Sequence, residues 1–598
     1  MKRWLLPLII LAAAAGLWTA AVHAANRPKL VVTIVVDQFR YDYLTRFRSD
    51  YNAGFARLLT KGAVFTDASY IHAKTVTAVG HSTYLSGATP SVSGIVGNEW
   101  YDRVLGRTVQ SVSDVNVKTV GRPPAAAGAS GEAGASGRRG RGSARGGGGA
   151  SGASGASGAS GRLPTLAASP RSLLVSTVGD ELKMRYPGSH VVGVSIKDRA
   201  AILPAGHMAD GAYWFADDVK RWVTSTYYRA QLPQWVVDLN AQIEKRDFTG
   251  DWLPLGAAPG SVKPFCTLLP GPPEPEVPEG EEKPIPPPRD PRSCGNIEST
   301  PIGNELIEEF AEKAVAADNL GGHEDTDILT VSFSANDYVG HAVGPDAPEV
   351  RDISIRTDRL LGKLMDYIDS RVGTGNVLYV LIADHGVAPV PEVNQKRNMP
   401  GGRLVTKTLV EKATAALSQR YGDGKWLISG TEYLNLDLIE SRHLNRAEVE
   451  RVAAEAMQTV PHIARVYTRS ELESGSASSD PIGRAFALSY FGQRSGDLFV
   501  LPEPYWMFAA TGTTHGTPYW YDAHVPLIFM GPGIKPGTYP EPVIINDVAP
   551  TLSELLGVET PSGSSGKVLT EILDDAPALI APVSTSGRKP ARAASGKR

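Results

Sequence analysis

The sequence predicts an α/β fold with a mostly parallel central sheet flanked by helices, and three observations carry that expectation. Four apolar, β-branched runs stand out: Leu30-Val-Val-Thr-Ile-Val-Val36, His190-Val-Val-Gly-Val-Ser-Ile196, Ile328-Leu-Thr-Val-Ser-Phe333 and Val377-Leu-Tyr-Val-Leu-Ile-Ala383. Continuous runs of this kind suit strands buried on both faces, as in parallel sheets. Helical segments read over residues 41–60, 172–186, 304–317 and 349–368 separate them, and alternating strand and helix implies parallel crossovers. Each run also ends at, or just before, a polar cluster: Asp37, Lys197/Arg199, Asp337/His341 and Asp384/His385. Ligands of open α/β sheets gather at the carboxyl ends of the strands, so the coincidence points to one site.

Composition sets the frame. A chain of 598 residues with 42% hydrophobic content can bury one large core or two. A net charge of −3 supplies no bulk field for nucleic acid or an anionic membrane. Lys2-Arg3, an apolar run over 4–21 and Val22-His-Ala24 read as a secretory signal, residues 1–24. The run is short and interrupted by Gly16 and Thr19, so a stable membrane anchor is not expected. The expected location is periplasmic or secreted. Export gives meaning to Cys266 and Cys294, which bracket a Pro- and Glu-rich segment. A disulfide there would close the base of the excursion, contributing about 3 kcal/mol, with two free thiols as the alternative.

Residues 25–582 read as one catalytic domain carrying excursions, followed by a basic, polar tail over 583–598 that is expected to be disordered. Residues 125–161 collapse into Gly, Ala, Ser and Arg, a composition that cannot offset its ordering entropy. Residues 205–300 form an aromatic-rich accessory region with the Pro-rich loop. Residues 405–473 read as an α+β insertion, with Tyr433-Leu-Asn-Leu-Asp-Leu438 strand-like.

The candidate chemistry lies between these parts. Thr77 stands just before a run that reads as the first turns of a helix. Unpaired N–H groups at a helix N-terminus favour an oxygen nucleophile or a phosphate, although Thr alone is a common N-cap. Asn98 offers an amide in a Gly-containing loop. Lys197 and Arg199, two apart in an extended segment, project to one side and can converge on one anion, with Asp198 pointing away. Asp337 and His341, four apart, can meet on one side of a helical turn as two ligands to one metal. With Asp37, Asp384, His385 and His515 they make six ligands, enough for two three-ligand sites. Mixed Asp and His donors suit Zn²⁺ better than Ca²⁺ or Mg²⁺, with Mn²⁺ or Fe²⁺ as competitors. Two such ions about 4 Å apart, with an oxygen nucleophile and a basic pair, are a phosphoryl-transfer apparatus.

The motifs Val35-Val-Asp37-Gln-Phe-Arg-Tyr-Asp-Tyr43, Thr77-Ala-Val-Gly-His81, Gly94-Ile-Val-Gly-Asn98, Ser195-Ile-Lys197-Asp-Arg199-Ala-Ala-Ile-Leu-Pro-Ala-Gly-His207, Asp337-Tyr-Val-Gly-His341, Ala383-Asp384-His385-Gly and His515-Gly-Thr occur in this order. Together they resemble the alkaline phosphatase superfamily, in particular its PafA-type, phosphate-irrepressible branch with a Thr nucleophile. The resemblance implies the alkaline phosphatase-like fold and two Zn²⁺ per chain. One zinc would take Asp337, His341 and His515; the other would take Asp37, Asp384 and His385 together with the Thr77 oxygen. Asn98, Lys197 and Arg199 would hold phosphate oxygens. The implied activity is hydrolysis of phosphate monoesters of small metabolites by a monomer, needing no nucleic acid, and phosphodiesterase or nucleotide pyrophosphatase is the alternative. His72, His81, His207 and His524 are expected to orient ligands or to be structural. The insert between Asn98 and Lys197 is longer than the family pattern needs.

Overall fold

The computed structural model of the chain describes residues 27–123, 167–269 and 293–574. The signal-like residues 1–24, the insert 125–161, most of the Pro-rich loop and the tail 583–598 lie outside the described residues.

The fold is built on a ten-stranded mixed sheet. In chain order its strands are β1 (Leu30–Val36), β2 (Ala63–Phe65), β3 (Thr119–Val120), β4 (Val191–Ser195), β5 (Gly211–Ala216), β6 (Arg221–Ser225), β7 (Asp327–Phe333), β8 (Val377–Ile382), β9 (Leu527–Met530) and β10 (Gly537–Tyr539). They lie in the order β10-β2-β9-β8-β1-β7-β4-β5-β6-β3. The five central strands, β8 to β5 in that order, are mutually parallel. β9 and β6 bound that core antiparallel to β8 and β5. Every residue of β1, β7 and β8 is buried, which is why these runs carry no period-two alternation. Leu30 pairs with Asp327 and Val377, and Val36 with Phe333. That register brings Asp37, Ser334 and Ala383 to one edge.

Five helices bear on the site: α1 (Thr77–Ser86), α2 (Asp198–Ala205), α3 (Pro301–Ala317), α4 (Ala335–Val343) and α5 (Pro348–Val372). Leu306 and Phe310 of α3 and Leu361, Leu364 and Ile368 of α5 pack into the same core as β1, β7 and β8. Ala78 and Val79 of α1 form a second core with Ala201, Ile202 and Ala205 of α2 and with Trp214 of β5. A third core, from Leu404 to Leu498, unites Thr406–Tyr421, Arg446–Gln458 and the strand pair Ile463–Thr468/Leu498–Pro502.

Three segments differ from the sequence expectation. Residues 41–60 hold two helices, Tyr41–Arg46 and Gly54–Lys61. The second is started by the Asp358 carboxylate of α5, which accepts from the backbone N–H of Asn52, Ala53 and Phe55 and so supplies the cap its own sequence lacks. Residues 172–186 hold a short 3₁₀ turn, Pro170–Ser172, and then a helix, Val178–Arg185, opened by a Thr177/Asp180 capping box. The run at 433–438 leaves the extended form after Leu434, because Asn435 caps the helix Leu436–Ser441 by accepting from Leu438 N–H. Cys266 and Cys294 are joined in a disulfide. Among the described residues no helix is long and apolar enough to cross a membrane.

Candidate active site

The carboxyl edge of the parallel strands gathers the sequence-predicted ligands into two groups. Asp37, Asp384 and His385 form one, and Asp337, His341 and His515 the other; within each, one ligand atom per residue lies within 4.8 Å of the others. Asp37 and Asp384 follow β1 and β8, and both are fully buried. Asp337 and His341 sit one turn apart on α4, with His341 Nε2 3.1 Å from Asp337 Oδ1. His515 arrives from a loop, its ring stacked on His385 with centroids 3.5 Å apart.

The three imidazoles are oriented alike. Nδ1 of His385 faces the Gly386 carbonyl at 2.9 Å, Nδ1 of His341 the Thr513 carbonyl at 2.8 Å, and Nδ1 of His515 the Thr75 carbonyl at 2.8 Å. A carbonyl can only accept, so each Nδ1 carries the proton and each Nε2 lone pair is turned inward, the arrangement of metal-ligating histidine. Burial lowers His385 to a pKa of about 4 and holds His515 well below the ordinary value, which keeps both neutral. His341 is raised: burial opposes its charge, but Asp337 overcomes that.

This arrangement fits cations. Nε2 of His515 and His341 face each other at 3.2 Å, and His341 Nε2 also lies beside Asp337, so the three ligand atoms converge on one point. Asp37 Oδ1 and Asp384 Oδ2 are buried without hydrogen-bond partners. Three buried carboxylates share one buried ammonium, Lys197, leaving negative charge that low-dielectric surroundings make costly. Burial and the Asp384 charge accordingly raise Asp37 to a pKa of about 7, against the pull of Lys197.

Thr77 is the first residue of α1, and the N-cap is Val76, whose side chain makes no capping bond. The Thr77 hydroxyl therefore does not cap the helix; it lies 3.5 Å from His385 Nε2. The Ala78 N–H is satisfied instead by Asn98 Oδ1 at 2.8 Å. That bond fixes the amide of Asn98 and leaves its two N–H donors for an anion. Glycine is required at position 80, since a Cβ there would meet the Asp384 backbone at 2.2 Å. Its absence lets α1 press Thr77 against the ligand clusters.

Lys197 and Arg199 are not two residues of one extended segment. Lys197 follows β4 as the N-cap of α2, and Arg199 lies in the first turn of that helix. Lys197 Nζ donates to Asp37 Oδ2 at 2.5 Å and to Asp337 Oδ2 at 2.6 Å, joining the two clusters. The Arg199 guanidinium makes only a loose ion pair with Asp198, at 3.8 Å, and its Nε is buried without a partner.

Two contributors escaped the sequence reading. Gln38 adopts φ +57, a strained region for a non-glycine residue. From there its N–H meets Asp384 Oδ1 at 3.1 Å and its side-chain amide donates to Asp337 Oδ1 at 2.6 Å, tying one cluster to the other. The aromatic side of the pocket was also missed: a cavity of about 240 Å³ beside Asn98 and His515 is lined by Trp100, Phe486, Lys74 and Glu432. Of the remaining histidines, His81 braces the Thr77 carbonyl at 2.9 Å and approaches Asp384 at 3.4 Å. His207 bonds Asp180, and His524 bonds the Thr66 carbonyl. His72 is buried beside the Tyr70 ring.

Comparison with known proteins agrees with this architecture. A family model described as type I phosphodiesterase / nucleotide pyrophosphatase matches residues 31–160 and 171–523. Alkaline phosphatase PafA of Elizabethkingia meningoseptica is 33% identical over 592 residues, covering 96% of this chain and 99% of that protein. Alkaline phosphatase PhoV of Synechococcus elongatus is 35% identical over 563 residues, covering 92% and 93%. The crystal structure of wild-type alkaline phosphatase PafA matches with a TM-score of 0.74 at 32% identity, over 92% of this chain and 99% of that one. The chain belongs to the type I phosphodiesterase / nucleotide pyrophosphatase family, within the alkaline phosphatase superfamily.

Proposed function

We propose that this chain is an exported, monomeric alkaline phosphatase that hydrolyses phosphate monoesters of small metabolites through a phosphothreonine on Thr77, with two Zn²⁺. The observation that carries the reading is the Thr77 hydroxyl, released from capping and set at a helix N-terminus beside His385 of the Asp37/Asp384/His385 cluster. Asp37, Asp384 and His385 would hold one zinc and Asp337, His341 and His515 the other. When bound, the ions would supply positive charge that lowers the pKa of the nucleophile and offsets charge on the transferring phosphoryl group.

The chain's own residues supply the rest. Thr77 Oγ, its proton lost to solvent, attacks phosphorus in line, its O–P bond forming as the bond to the leaving alkoxide breaks and that alkoxide takes a proton from water. A second water then attacks phosphorus as the Oγ–P bond breaks, returning a proton to Thr77 and releasing inorganic phosphate. Asn98 turns its amide donors to one phosphate oxygen. Lys197 uses two of its three N–H donors on Asp37 and Asp337, so one remains for phosphate. Arg199 brings a second full charge. The neighbouring cavity with Trp100 and Phe486 takes the leaving group. Export is supported by the charged and apolar composition of residues 1–24 and by the disulfide.

Phosphodiester hydrolysis is the second reading, favoured by the matching family model. Two extra cations favour the doubly charged monoester over a diester. The deciding experiment is a side-by-side kcat/KM comparison on an aryl phosphate monoester and an aryl phosphodiester, with zinc measured on the same sample. A higher value for the monoester is expected; a higher value for the diester would assign the chain to the second reading.

A further inference from the structure

A third group of ligand-type side chains lies at the opposite, amino edge of the sheet. His190 immediately precedes β4, Asp327 opens β7, and His323 belongs to the loop between α3 and β7. One ligand atom from each lies within 4.8 Å of the other two. We propose that His190, His323 and Asp327 bind a divalent transition ion of the Zn²⁺ class, as a metal tie separate from the two clusters at the carboxyl edge.

Three observations support binding rather than a plain His–Asp ion pair. His190 repeats the orientation of the three histidines at the carboxyl edge: its Nδ1 faces the Asp318 carbonyl at 3.2 Å, which places the proton there and leaves the Nε2 lone pair. His323 Nε2 lies 2.9 Å from Asp327 Oδ2, yet it is buried and makes no aligned hydrogen bond. The distance is that of a bond and the direction is not, as expected of two donors aimed at a common third atom. Finally, Asp327 is fully buried and pre-set as a ligand. Its Oδ1 accepts from His190 N–H at 2.6 Å and its Oδ2 from Gly321 N–H at 2.7 Å. Each carboxylate oxygen can accept twice, so each retains a lone pair.

Two imidazoles and one carboxylate are a borderline-soft set that suits Zn²⁺ and its neighbours over Ca²⁺ or Mg²⁺. Both histidines are partly exposed at the surface, although His323 Nε2 and Asp327 are themselves buried. Such an ion would join segments more than a hundred residues apart, at the point where β4 and β7 begin side by side.

The test uses the full chain, stripped by a chelator and re-equilibrated with Zn²⁺. Zinc per chain is measured in the wild type, in His323→Ala and in His190→Ala/His323→Ala. Each variant is expected to hold one equivalent less, while kcat/KM on an aryl phosphate at saturating zinc stays within about twofold. Equal zinc content in all three proteins would overturn the site. The reading is a difference, so it holds whatever number of ions the carboxyl edge binds. If an alanine variant does not fold, His323→Gln is loaded with Co²⁺ and its visible absorption is compared with the wild type. Loss of a nitrogen-ligand band supports the site, and identical spectra refute it.

Discussion

The two edges of the central sheet carry similar residues in different electrostatic states. At the carboxyl edge one ammonium bonds two of three buried carboxylates, and two carboxylate oxygens lack partners. At the amino edge the single carboxylate of Asp327 is already satisfied by two backbone N–H groups. The first edge is charge-unbalanced and invites cations and an anionic substrate. The second holds one carboxylate, oriented by backbone N–H groups and with no nucleophile beside it, so an ion there would tie strands together without chemistry. What separates the edges is thus not the ligand types but unneutralised charge beside an uncapped hydroxyl, that of Thr77.

The comparison is tested most severely at Thr77. Thr77→Ala is expected to cut kcat by at least about a thousandfold while zinc content and far-UV circular dichroism stay at wild-type values. Thr77→Ser should retain a substantial fraction, because the hydroxyl survives. Wild-type turnover by Thr77→Ala would end the covalent reading.

Next come the ligands. Chelation is expected to silence the enzyme and Zn²⁺ to restore it. Asp37→Ala and His515→Ala should each lose one ion, from different clusters, with activity down by about a hundredfold or more. Full activity in a preparation shown to be metal-free would break the contrast between the edges.

Lys197 and Arg199 sharpen it. Each charge-assisted bond to a phosphate oxygen is worth roughly 1.5–3 kcal/mol, or about ten- to more than a hundredfold in kcat/KM. Lys197 also holds a carboxylate from each cluster, so Lys197→Ala should change zinc affinity as well as rate. Arg199→Ala, which breaks no hydrogen bond to those carboxylates, should change rate far more than zinc affinity. The double variant should lose more on a monoester than on a diester, which lacks one of the non-bridging oxygens. Equal losses on both substrates would assign the pair to folding.

Gln38→Ala should cost about tenfold in zinc affinity or turnover, as for other residues that orient ligands. This residue also shows where legibility ended. Asp37, Asp337, Asp384 and His385 could be read because a polar residue at the end of an apolar run is visible locally. Gln38 could not, because its partners Asp337 and Asp384 lie some three hundred residues away in the chain and its positive φ leaves no sequence mark. The break within 41–60 was hidden for the same reason, its cap being Asp358 of α5. The helix after Leu434 was a different failure. Asn435 is an ordinary N-cap signal, and reading it would have ended the strand there. Lys197 and Arg199 were read as alternate residues of one strand, whereas the strand turns into α2 between them.

The smallest expected effect is the one that separates the edges. The same change, histidine to alanine, can be made at His341 on the carboxyl edge and at His323 on the amino edge. β7 spans seven residues between them, about 20 Å at roughly 3.3 Å per residue. At that separation no side chain at one edge touches a ligand at the other, and direct coupling falls with distance. No described hydrogen bond of His323 or Asp327 reaches a catalytic ligand, and β7 between them is buried and fixed on both sides by β1 and β4. His341→Ala should therefore remove an ion and most of the turnover. His323→Ala should leave kcat/KM within about twofold, with its effect confined to zinc content and thermal stability. A loss of more than about tenfold in kcat/KM from His323→Ala, in protein shown to be folded, would mean that strain passes along β7 and that the two edges act as one site.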